Sequence, residues 1–341
     1  MTNATRRELA VGVIGLGVGA KHASAARLHD RAVVTHLCDH HAARLHEAGS
    51  DHPAARLTTD ANEVLDDPDV DAVVIASYDG DHAQQVLHAL RNGKHVFVEK
   101  PLCTNGEELR AVDERLTAHP HLVLSSNLLL RREPRFVELK RRILAGELGT
   151  PYLLEGSYDF GRFEQLTDGW RGEAPDYSVM HGGGIHLIDL LLWMKDHPVQ
   201  EVVAMSSDRA SRGTTFSGKD LEVALVRFSD GSVGTLTANF ASVAPHHHRV
   251  TIFGTEGTFV QNHLGAGYLH SRDPGAPIER DASKYPAAAK GVLIGDFLDA
   301  CLGLTSPPVP AADVLRAMAV SIAIEDSAAS GAAVRPQEIR C

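Results

Sequence analysis

The chain contains 341 residues, 43% of them hydrophobic, and carries a formal net charge of −11 at pH 7. This length suggests two domains and is sufficient to bury a substantial core. The acidic balance argues against a nucleic-acid partner or an anionic membrane, because both attract clustered positive charge. No stretch approaches the about 20 apolar residues of a membrane span.

The cysteine pattern favours a cytoplasmic protein, because it is typical of reduced thiols rather than of a disulfide framework. The four cysteines form no C-x-x-C pair and show no regular spacing: Cys38, Cys103, Cys301 and Cys341. Near the N-terminus, Arg6-Arg7, an apolar run and Ala23-Ser24-Ala25 imitate a twin-arginine export signal. Cleavage there would remove a strand and the glycine-rich turn after it, so we interpret the apolar run as the first strand.

The first predicted strand runs directly into this glycine-rich turn. Gly15, Gly17 and Ala20 fit G-x-G-x-x-G/A, whose positions permit a tight turn, approach of a pyrophosphate and close packing of helix on strand. The following helix would direct free N–H groups at the phosphates. A second strand at 33–38 ends at Asp39, close to the about 20-residue offset at which a carboxylate meets the adenosine ribose. The pattern predicts a dinucleotide site; the alternative is a glycine-rich turn without a cofactor.

Up to about residue 125 the sequence alternates strands and helices. Further strands are predicted at 71–76, 95–98 and 122–124, and helices at 41–48, 82–92 and 106–117. Within the strand predicted at 71–76, residues 72–76 are continuously apolar, which is typical of a strand buried on both faces. Because this alternation requires parallel strands with helical crossovers, residues 1–125 are predicted to form an α/β Rossmann domain with a doubly wound sheet.

After residue 125 the pattern changes to strands in direct succession. They are predicted at 202–205, 221–228, 233–240, 250–253 and 258–261. Helices are predicted at 134–145, at 184–194 and, after a proline-rich break, at 311–330. Hairpin-linked strands imply a large, mostly antiparallel sheet, so residues 126–341 are predicted to form an α+β domain.

The chemistry centres on Glu99-Lys100-Pro101, which follows the strand at 95–98. Ligands of open α/β sheets bind outside the carboxyl ends of the strands, so Lys100 is expected where a nicotinamide and its substrate would meet. There a lysine can hydrogen-bond a substrate hydroxyl and stabilise the developing alkoxide. The proline fixes the turn, and a cis peptide bond would aim the lysine. From these three residues alone, an ordinary surface lysine is the favoured alternative.

Together, this motif and the glycine-rich turn resemble the Gfo/Idh/MocA oxidoreductases, the family of glucose–fructose oxidoreductase and inositol 2-dehydrogenase. The similarity includes 77–82 and 93–102 and continues in order through 127–134, 146–149, 184–189 and 250–257. It covers nearly the whole chain, and the set is far more specific than any single motif.

The resemblance implies a nicotinamide-dependent enzyme acting on a sugar, inositol or similar polyol. It also implies an open sheet that packs against another subunit in a homodimer or homotetramer. Lys100 matches the family's catalytic lysine, and His186 matches the histidine that exchanges the hydroxyl proton. The implied cofactor-binding positions are Gly15, Gly17, Val18, Ala20, Asp39, Ser77, His82, Glu99 and Lys100. The implied substrate-binding positions are Asn127, Arg131, Tyr158, Trp170, Arg171, His181 and Asp189.

One position departs from the family pattern. Family dehydrogenases usually place an aspartate four residues before this histidine, and Gly182 stands there. Asp189, three residues after His186, is one candidate to orient the imidazole, although the family often has an aspartate there as a structural residue. His181 is a second candidate for the missing polar group.

The 20 histidines invite a metal hypothesis, but no metal is predicted. His181 and His186 lack the i,i+4 spacing of a helical zinc pair, and the successive histidines 246–248 would alternate between the faces of a strand. Asp39 favours NAD over NADP, which remains the alternative, because a carboxylate accepts a bond from the ribose 2′-OH and repels a 2′-phosphate.

Three functional classes remain open at this stage. The first is a reversible oxidoreductase of a sugar, inositol or related polyol. The second is an epimerase or eliminase without net redox change, using tightly held NAD⁺, for which the missing acid at Gly182 leaves room. The third is a catalytically silent dinucleotide-binding regulator. Retention of Lys100 and His186 argues against the third class, since a regulator needs neither.

Overall fold

The computed structural model describes residues 8–174 and 177–341. The chain divides into two compact units. The first unit comprises Met1–Leu129, Ala288–Leu315 and Ile339–Cys341, and the second comprises Leu130–Ala287 and Arg316–Glu338. Among the residues described, no helix combines the length and the apolar character needed to cross a membrane.

A parallel sheet of six strands forms the centre of the first unit, in the order β3-β2-β1-β4-β5-β6. Its strands are β1 (Leu9–Ile14), β2 (Ala32–Cys38), β3 (Arg56–Thr58), β4 (Ala72–Ile75), β5 (His95–Val98) and β6 (Leu124–Ser126). The connecting helices are α1 (Gly19–Ala26), α2 (Ala42–Asp51), α3 (Ala61–Leu65), α4 (His82–Arg91) and α5 (Gly106–Ala118). All residues of β4 are buried, as its apolar run predicts. The prediction of a doubly wound Rossmann sheet is confirmed.

The second unit is built on an eight-stranded sheet with the order β14-β13-β12-β11-β7-β10-β9-β8. Its strands are β7 (Pro151–Asp159), β8 (Val199–Ser207), β9 (Leu221–Phe228), β10 (Val233–Asn239), β11 (His247–Gly254), β12 (Thr258–Asn262), β13 (Gly265–Leu269) and β14 (Glu279–Asp281). Only the β7–β10 pair is parallel among these neighbours, so the mostly antiparallel prediction is confirmed.

Strand β7 lies inside this sheet, although the sequence pattern predicted no strand at these residues. The strand begins with a proline and contains Gly156, and both residues are typical strand breakers. In the structure the glycine has a packing role, because a Cβ there would lie 3.3 Å from the Cβ of Leu187 on the helix that covers the sheet.

The remaining helices are α6 (Pro134–Leu144), α7 (Phe163–Thr167), α8 (Trp170–Glu173), α9 (Ile185–Lys195), α10 (Ile294–Cys301) and α11 (Ala311–Ser330). A π-helical turn, Met180–Gly184, leads directly into α9. The helix predicted at 184–194 is confirmed, and every residue from Ile185 to Leu191 is buried.

The C-terminal part of the chain corrects the predicted domain boundary. The sequence pattern predicts that all of 126–341 belongs to the second domain, whereas Ala288–Leu315 clusters with the first unit. The physical reason is a shared core: Phe297 of α10 packs against Phe97 of β5, with ring centroids 5.6 Å apart. The Ser125 hydroxyl also donates to the carbonyl oxygen of Val309 across 2.9 Å.

One face of the large sheet carries an apolar surface, which we call the outer sheet face. Along β8 and β9 buried and exposed residues alternate, as expected for a sheet with one covered side. The exposed side includes Val203, Met205, Val223 and Leu225, with exposed fractions of 43%, 77%, 42% and 54%. Neighbouring strands on a sheet place these side chains together, so the outer sheet face presents a contiguous apolar patch.

Candidate functional site

The glycine-rich turn links β1 to α1 in the geometry that the fingerprint predicts. Gly15 has a φ of +83°, and a Cβ there would overlap the carbonyl oxygen of Ala76, so only glycine fits. Around Gly17 the space is open, with no atom within 4 Å of a Cβ position. The close approach of helix to strand falls at Gly19, whose Cβ would lie 3.2 Å from that of Ala76. Ala20, predicted for this packing role, is instead half-buried.

Asp39 stands at the end of β2 with its carboxylate buried and oriented by the backbone. One oxygen accepts from the amide of Leu16 at 2.7 Å and the other from the amide of His41 at 2.8 Å. The guanidinium of Arg44 lies 3.7 Å away. A carboxylate offers about four lone-pair positions, so these two amide bonds leave capacity to accept a ribose hydroxyl. Among the described residues, Asp39, His40 and His41 also form the one set of three metal-ligating types within 4.8 Å of one another.

Two predicted cofactor residues brace the loops after β4 and β5. The imidazole of His82 is buried and lies 2.6 Å from the carbonyl oxygen of Pro101 and 3.2 Å from that of Ser77. The Ser77 hydroxyl donates to Gln85 at 2.8 Å. Both loops lie at the carboxyl edge of the parallel sheet. By bonding to Ser77 in one loop and Pro101 in the other, His82 fixes the shape of this edge.

Glu99, at the end of β5, is the centre of a buried hydrogen-bonded cluster. Its carboxylate accepts from Nε2 of His22 at 2.8 Å, from the amide nitrogen of the Asn127 side chain at 2.8 Å, and from the backbone N–H of Lys100 at 3.2 Å. Burial alone would raise the pKa of Glu99, but the hydrogen bond and charge of His22, the charge of Lys100 and the Asn127 bond lower it to about 2. An ionised carboxylate therefore anchors the residue next to Lys100. The Lys100–Pro101 peptide bond is cis.

This cluster changes the interpretation of two residues. His22 on α1 is fully buried, and no sequence motif singled it out, although it lies two residues after Ala20. Asn127, predicted to bind substrate, donates instead to Glu99, while its Oδ1 is buried without a hydrogen-bond partner in the described chain. Its position beside Glu99 supports a role in holding the Lys100 turn.

In the second unit, His186 lies in the first turn of α9, within a group of aromatic rings. The ring of Tyr158 lies 6.5 Å from that of His186, and His248 of β11 lies 6.3 Å away and nearly perpendicular. Burial raises the pKa of Tyr158 to about 12. Burial, followed by the proximity of the titratable His186 ring, holds the pKa of His248 well below its usual value. These shifts favour the neutral forms of Tyr158 and His248, the two rings beside His186.

His248 and its neighbour His246 were considered in the sequence only as metal ligands. The structure places both rings against Tyr158, at 4.8 and 5.3 Å, and bonds Nδ1 of His248 to the hydroxyl of Tyr285 at 2.5 Å. The signal that could have found them is strand alternation, which puts residues 246 and 248 on the same face.

Three of the predicted substrate-binding side chains are engaged with other parts of the second unit. Arg131 and Asp189 form a buried ion pair in which Nε lies 3.0 Å from one carboxylate oxygen and a terminal nitrogen lies 2.5 Å from the other. Their side chains are only 3% and 1% exposed. His181 bonds the hydroxyl of Ser321 on α11 at 2.7 Å. These contacts indicate structural roles, and they turn Asp189 towards Arg131.

Trp170 and Arg171, also predicted to bind substrate, pack around Tyr177, which no sequence motif singled out. The Nε of Arg171 donates to the hydroxyl of Tyr177 at 3.0 Å. The guanidinium carbon of Arg171 lies 4.7 Å from the centroid of the Trp170 ring, which meets Tyr177 edge-on at 5.6 Å. Tyr177 is 7% exposed, so this group is a fixed part of the unit.

The glycine-rich turn, the buried Asp39 and the strand order of the first unit define a dinucleotide-binding oxidoreductase fold. Residues 9–126 match the model of the Gfo/Idh/MocA oxidoreductase family, NAD-binding Rossmann fold, and residues 136–260 match the Gfo/Idh/MocA C-terminal domain. The chain belongs to the Gfo/Idh/MocA family of NAD-binding oxidoreductases, and the resemblance seen in its sequence is confirmed.

Relatives with assigned names agree with this membership. Myo-inositol 2-dehydrogenase of Thermotoga maritima is 29% identical over 258 residues, covering 72% of this chain and 73% of the relative. Inositol 2-dehydrogenase 2 of Paenarthrobacter aurescens is 30% identical over 254 residues, covering 73% and 74%.

Solved structures share the fold over almost the whole chain. Scyllo-inositol dehydrogenase from Lactobacillus casei, with bound NAD(H) and scyllo-inositol, superposes with a TM-score of 0.81 at 22% identity, covering 96% of this chain and 99% of its own. Levoglucosan dehydrogenase in complex with NADH and levoglucosan gives a TM-score of 0.82 at 22% identity, covering 97% and 100%.

Proposed function

We propose that the protein is an NAD-dependent dehydrogenase that moves a hydride between nicotinamide and a CH–OH carbon of a sugar, inositol or related polyol. One observation carries this proposal: the buried, ionised Glu99 holds Lys100 at the carboxyl edge of the sheet whose first turn suits a dinucleotide. The substrate class is supported by relatives named inositol 2-dehydrogenase. These names favour net oxidation or reduction over the epimerase, eliminase and regulator alternatives.

The residues of the first unit fit a nicotinamide dinucleotide. The open space at Gly17 lets a pyrophosphate approach the backbone amides of the turn, and Asp39 retains capacity to accept a ribose hydroxyl. When bound, the cofactor supplies the hydride acceptor or donor. We assign binding of the pyrophosphate to 15–20 and binding of the adenosine ribose to Asp39.

The two reactive side chains have separate roles in this proposal. In alcohol oxidation the carbon gives up its hydride, the hydroxyl gives up its proton, and the C–O bond becomes a carbonyl. The ammonium of Lys100 hydrogen-bonds the substrate oxygen and stabilises negative charge on it. His186 accepts the hydroxyl proton as general base and returns it in the reverse direction.

The outer sheet face supports a proposal on assembly. We assign it as the contact between copies in a cytoplasmic homodimer or homotetramer, since an exposed apolar patch on a soluble protein marks an interaction surface. Sedimentation of the wild type and of a Met205→Glu, Leu225→Glu variant tests this. The variant should sediment as a smaller species, and an unchanged species would contradict the assignment.

A substrate screen tests the activity. Inositols, hexoses and their keto forms are offered with NAD⁺ or NADH, and nicotinamide absorbance is followed in both directions. We expect stoichiometric NADH formation with at least one polyol. Turnover of substrate with no net absorbance change would favour the epimerase or eliminase alternative, and no turnover with any compound would contradict the proposed function.

A further inference from the structure

The turn before His186 leaves no space for a side chain at Gly182. A Cβ there would overlap the hydroxyl oxygen of Tyr177, and one at Gly183 would lie 2.6 Å from Tyr158 and 2.7 Å from Phe240. Aromatic side chains therefore pack directly on the backbone of this π-helical turn. π-Helical turns are rare and frequently occur at functional sites. The phenol of Tyr177 therefore occupies the space that a side chain at position 182 would take.

The position of that phenol is fixed from several sides. Trp170 meets the Tyr177 ring edge-on at 5.6 Å, and Phe216 and Phe240 each lie 6.3 Å away. The Nε of Arg171 donates to the hydroxyl oxygen at 3.0 Å. A ring held in this way cannot swing its hydroxyl away from the turn without disturbing the packing of its neighbours.

The electrostatics at this point differ from those of a carboxylate. A phenol is neutral at physiological pH, and one that accepts a bond from a guanidinium becomes a stronger donor through its own O–H. The backbone turn before His186 therefore packs against the hydroxyl of Tyr177, a hydrogen-bond donor whose oxygen accepts a bond from the Arg171 guanidinium.

We propose that Tyr177, held by Arg171, is the positioning residue for His186 and takes the role of the side chain that Gly182 lacks. The inference rests on the proposed dehydrogenase function, in which His186 exchanges the hydroxyl proton. Tyr177 acts by fixing the turn 180–184 and the electrostatic surroundings of His186, and it does not itself exchange a proton with the substrate.

A residue swap tests this inference with full-length protein and the best polyol of the screen. Tyr177→Phe keeps the ring and removes the hydroxyl, so we expect kcat to fall about 100-fold, the scale of misplaced reacting groups, with NAD binding unchanged. Gly182→Asp alone should also be impaired, since its side chain overlaps the phenol. The double variant Tyr177→Ala, Gly182→Asp should recover at least about tenfold in kcat over Tyr177→Ala, because the space is then open to a carboxylate.

The pH profile separates positioning from a merely structural role. A carboxylate at residue 182 stabilises the protonated imidazole, so the acidic limb of the oxidation profile should move to higher pH in the double variant than in the wild type. Tyr152→Phe, which removes a hydroxyl from an exposed tyrosine of β7, is the matched control and should leave kcat unchanged. Melting curves verify that each variant folds.

Two results would overturn the inference while leaving the proposed function intact: Tyr177→Phe within twofold of wild-type kcat, or a folded double variant with neither recovery nor a shifted pH limb. Absence of NAD-dependent turnover in the wild type would contradict the proposed function and this inference together.

Discussion

The two units hold their proposed reactive side chains by different physical means. In the first unit, Lys100 follows an ionised, buried Glu99 whose pKa is lowered to about 2. In the second, His186 lies among rings that burial keeps neutral, including Tyr158. Charge positions the lysine, whereas close packing positions the histidine. Turnover should therefore be most sensitive to loss of charge in the first unit and to changes of shape or of a single hydroxyl in the second.

The largest effect is expected from Lys100→Ala, which removes the charge that the Glu99 cluster positions. Turnover should fall by at least about 1,000-fold, since loss of a group that stabilises developing charge costs about 10²–10³ in kcat and loss of substrate positioning adds to it. NAD binding, followed by fluorescence titration, should remain within a few-fold. Lys290→Ala, at an exposed lysine of the same unit, is the control. Turnover of Lys100→Ala within a few-fold of wild type would refute the assigned role.

The next effect concerns stability in the second unit. Arg131→Met leaves Asp189 as an unpaired buried carboxylate, so the free energy of unfolding should fall by about 3 kcal/mol. Arg131→Met combined with Asp189→Leu should recover most of this loss, because it removes both charges. Chemical denaturation gives these values. If the residues bind substrate instead, the double variant will regain stability but show a greatly raised KM.

A smaller and pH-dependent effect is expected at Glu99. Glu99→Gln weakens three hydrogen bonds to a charged acceptor and should lower the free energy of unfolding by about 2 kcal/mol at pH 7. The pKa of this carboxyl is about 2 in the folded protein against an ordinary 4.5. Its contribution is therefore fully present above pH 4.5 and declines as the pH falls towards 2.

Denaturation of both proteins at pH 7 and pH 3 measures this dependence. The difference between wild type and Glu99→Gln should narrow at the lower pH, because the wild-type carboxyl loses part of its advantage there. A gap of equal size at both pH values would show that Glu99 acts only through its shape.

The difference between local patterns and contacts of distant residues explains what the sequence could predict. The alternation of strands and helices in the first unit, the glycine-rich turn and Lys100 follow from local patterns, because a strand end and the turn after it are contiguous in the chain. Gly15 is one example, since its positive φ is a property of the turn itself. The sheet of the second unit was predicted in type, although β7 was missed because packing of Leu187 on Gly156 overrides a strand breaker.

Contacts between distant residues could not be predicted in this way. His22 meets Glu99 77 positions later, and Arg131 meets Asp189 58 positions later. Nothing in the spacing of either pair distinguishes a structural partner from a substrate-binding residue. The role of Tyr177 at Gly182 depends on side-chain packing around a π-helical turn, and the sequence carries no periodic signal for that turn.

The smallest effect, at Asp39, tests whether the charge-based site of the first unit also selects the cofactor. Asp39→Ser removes the carboxylate that would repel a 2′-phosphate and releases Arg44, whose guanidinium lies 3.7 Å from it. The ratio of kcat/KM for NADP to that for NAD should rise about tenfold. Adding Arg44→Met to this variant should remove the gain, because the cation available to the phosphate is then lost. A ratio that stays at its wild-type value in Asp39→Ser would show that the amides of the glycine-rich turn, and not this carboxylate, decide between the two dinucleotides.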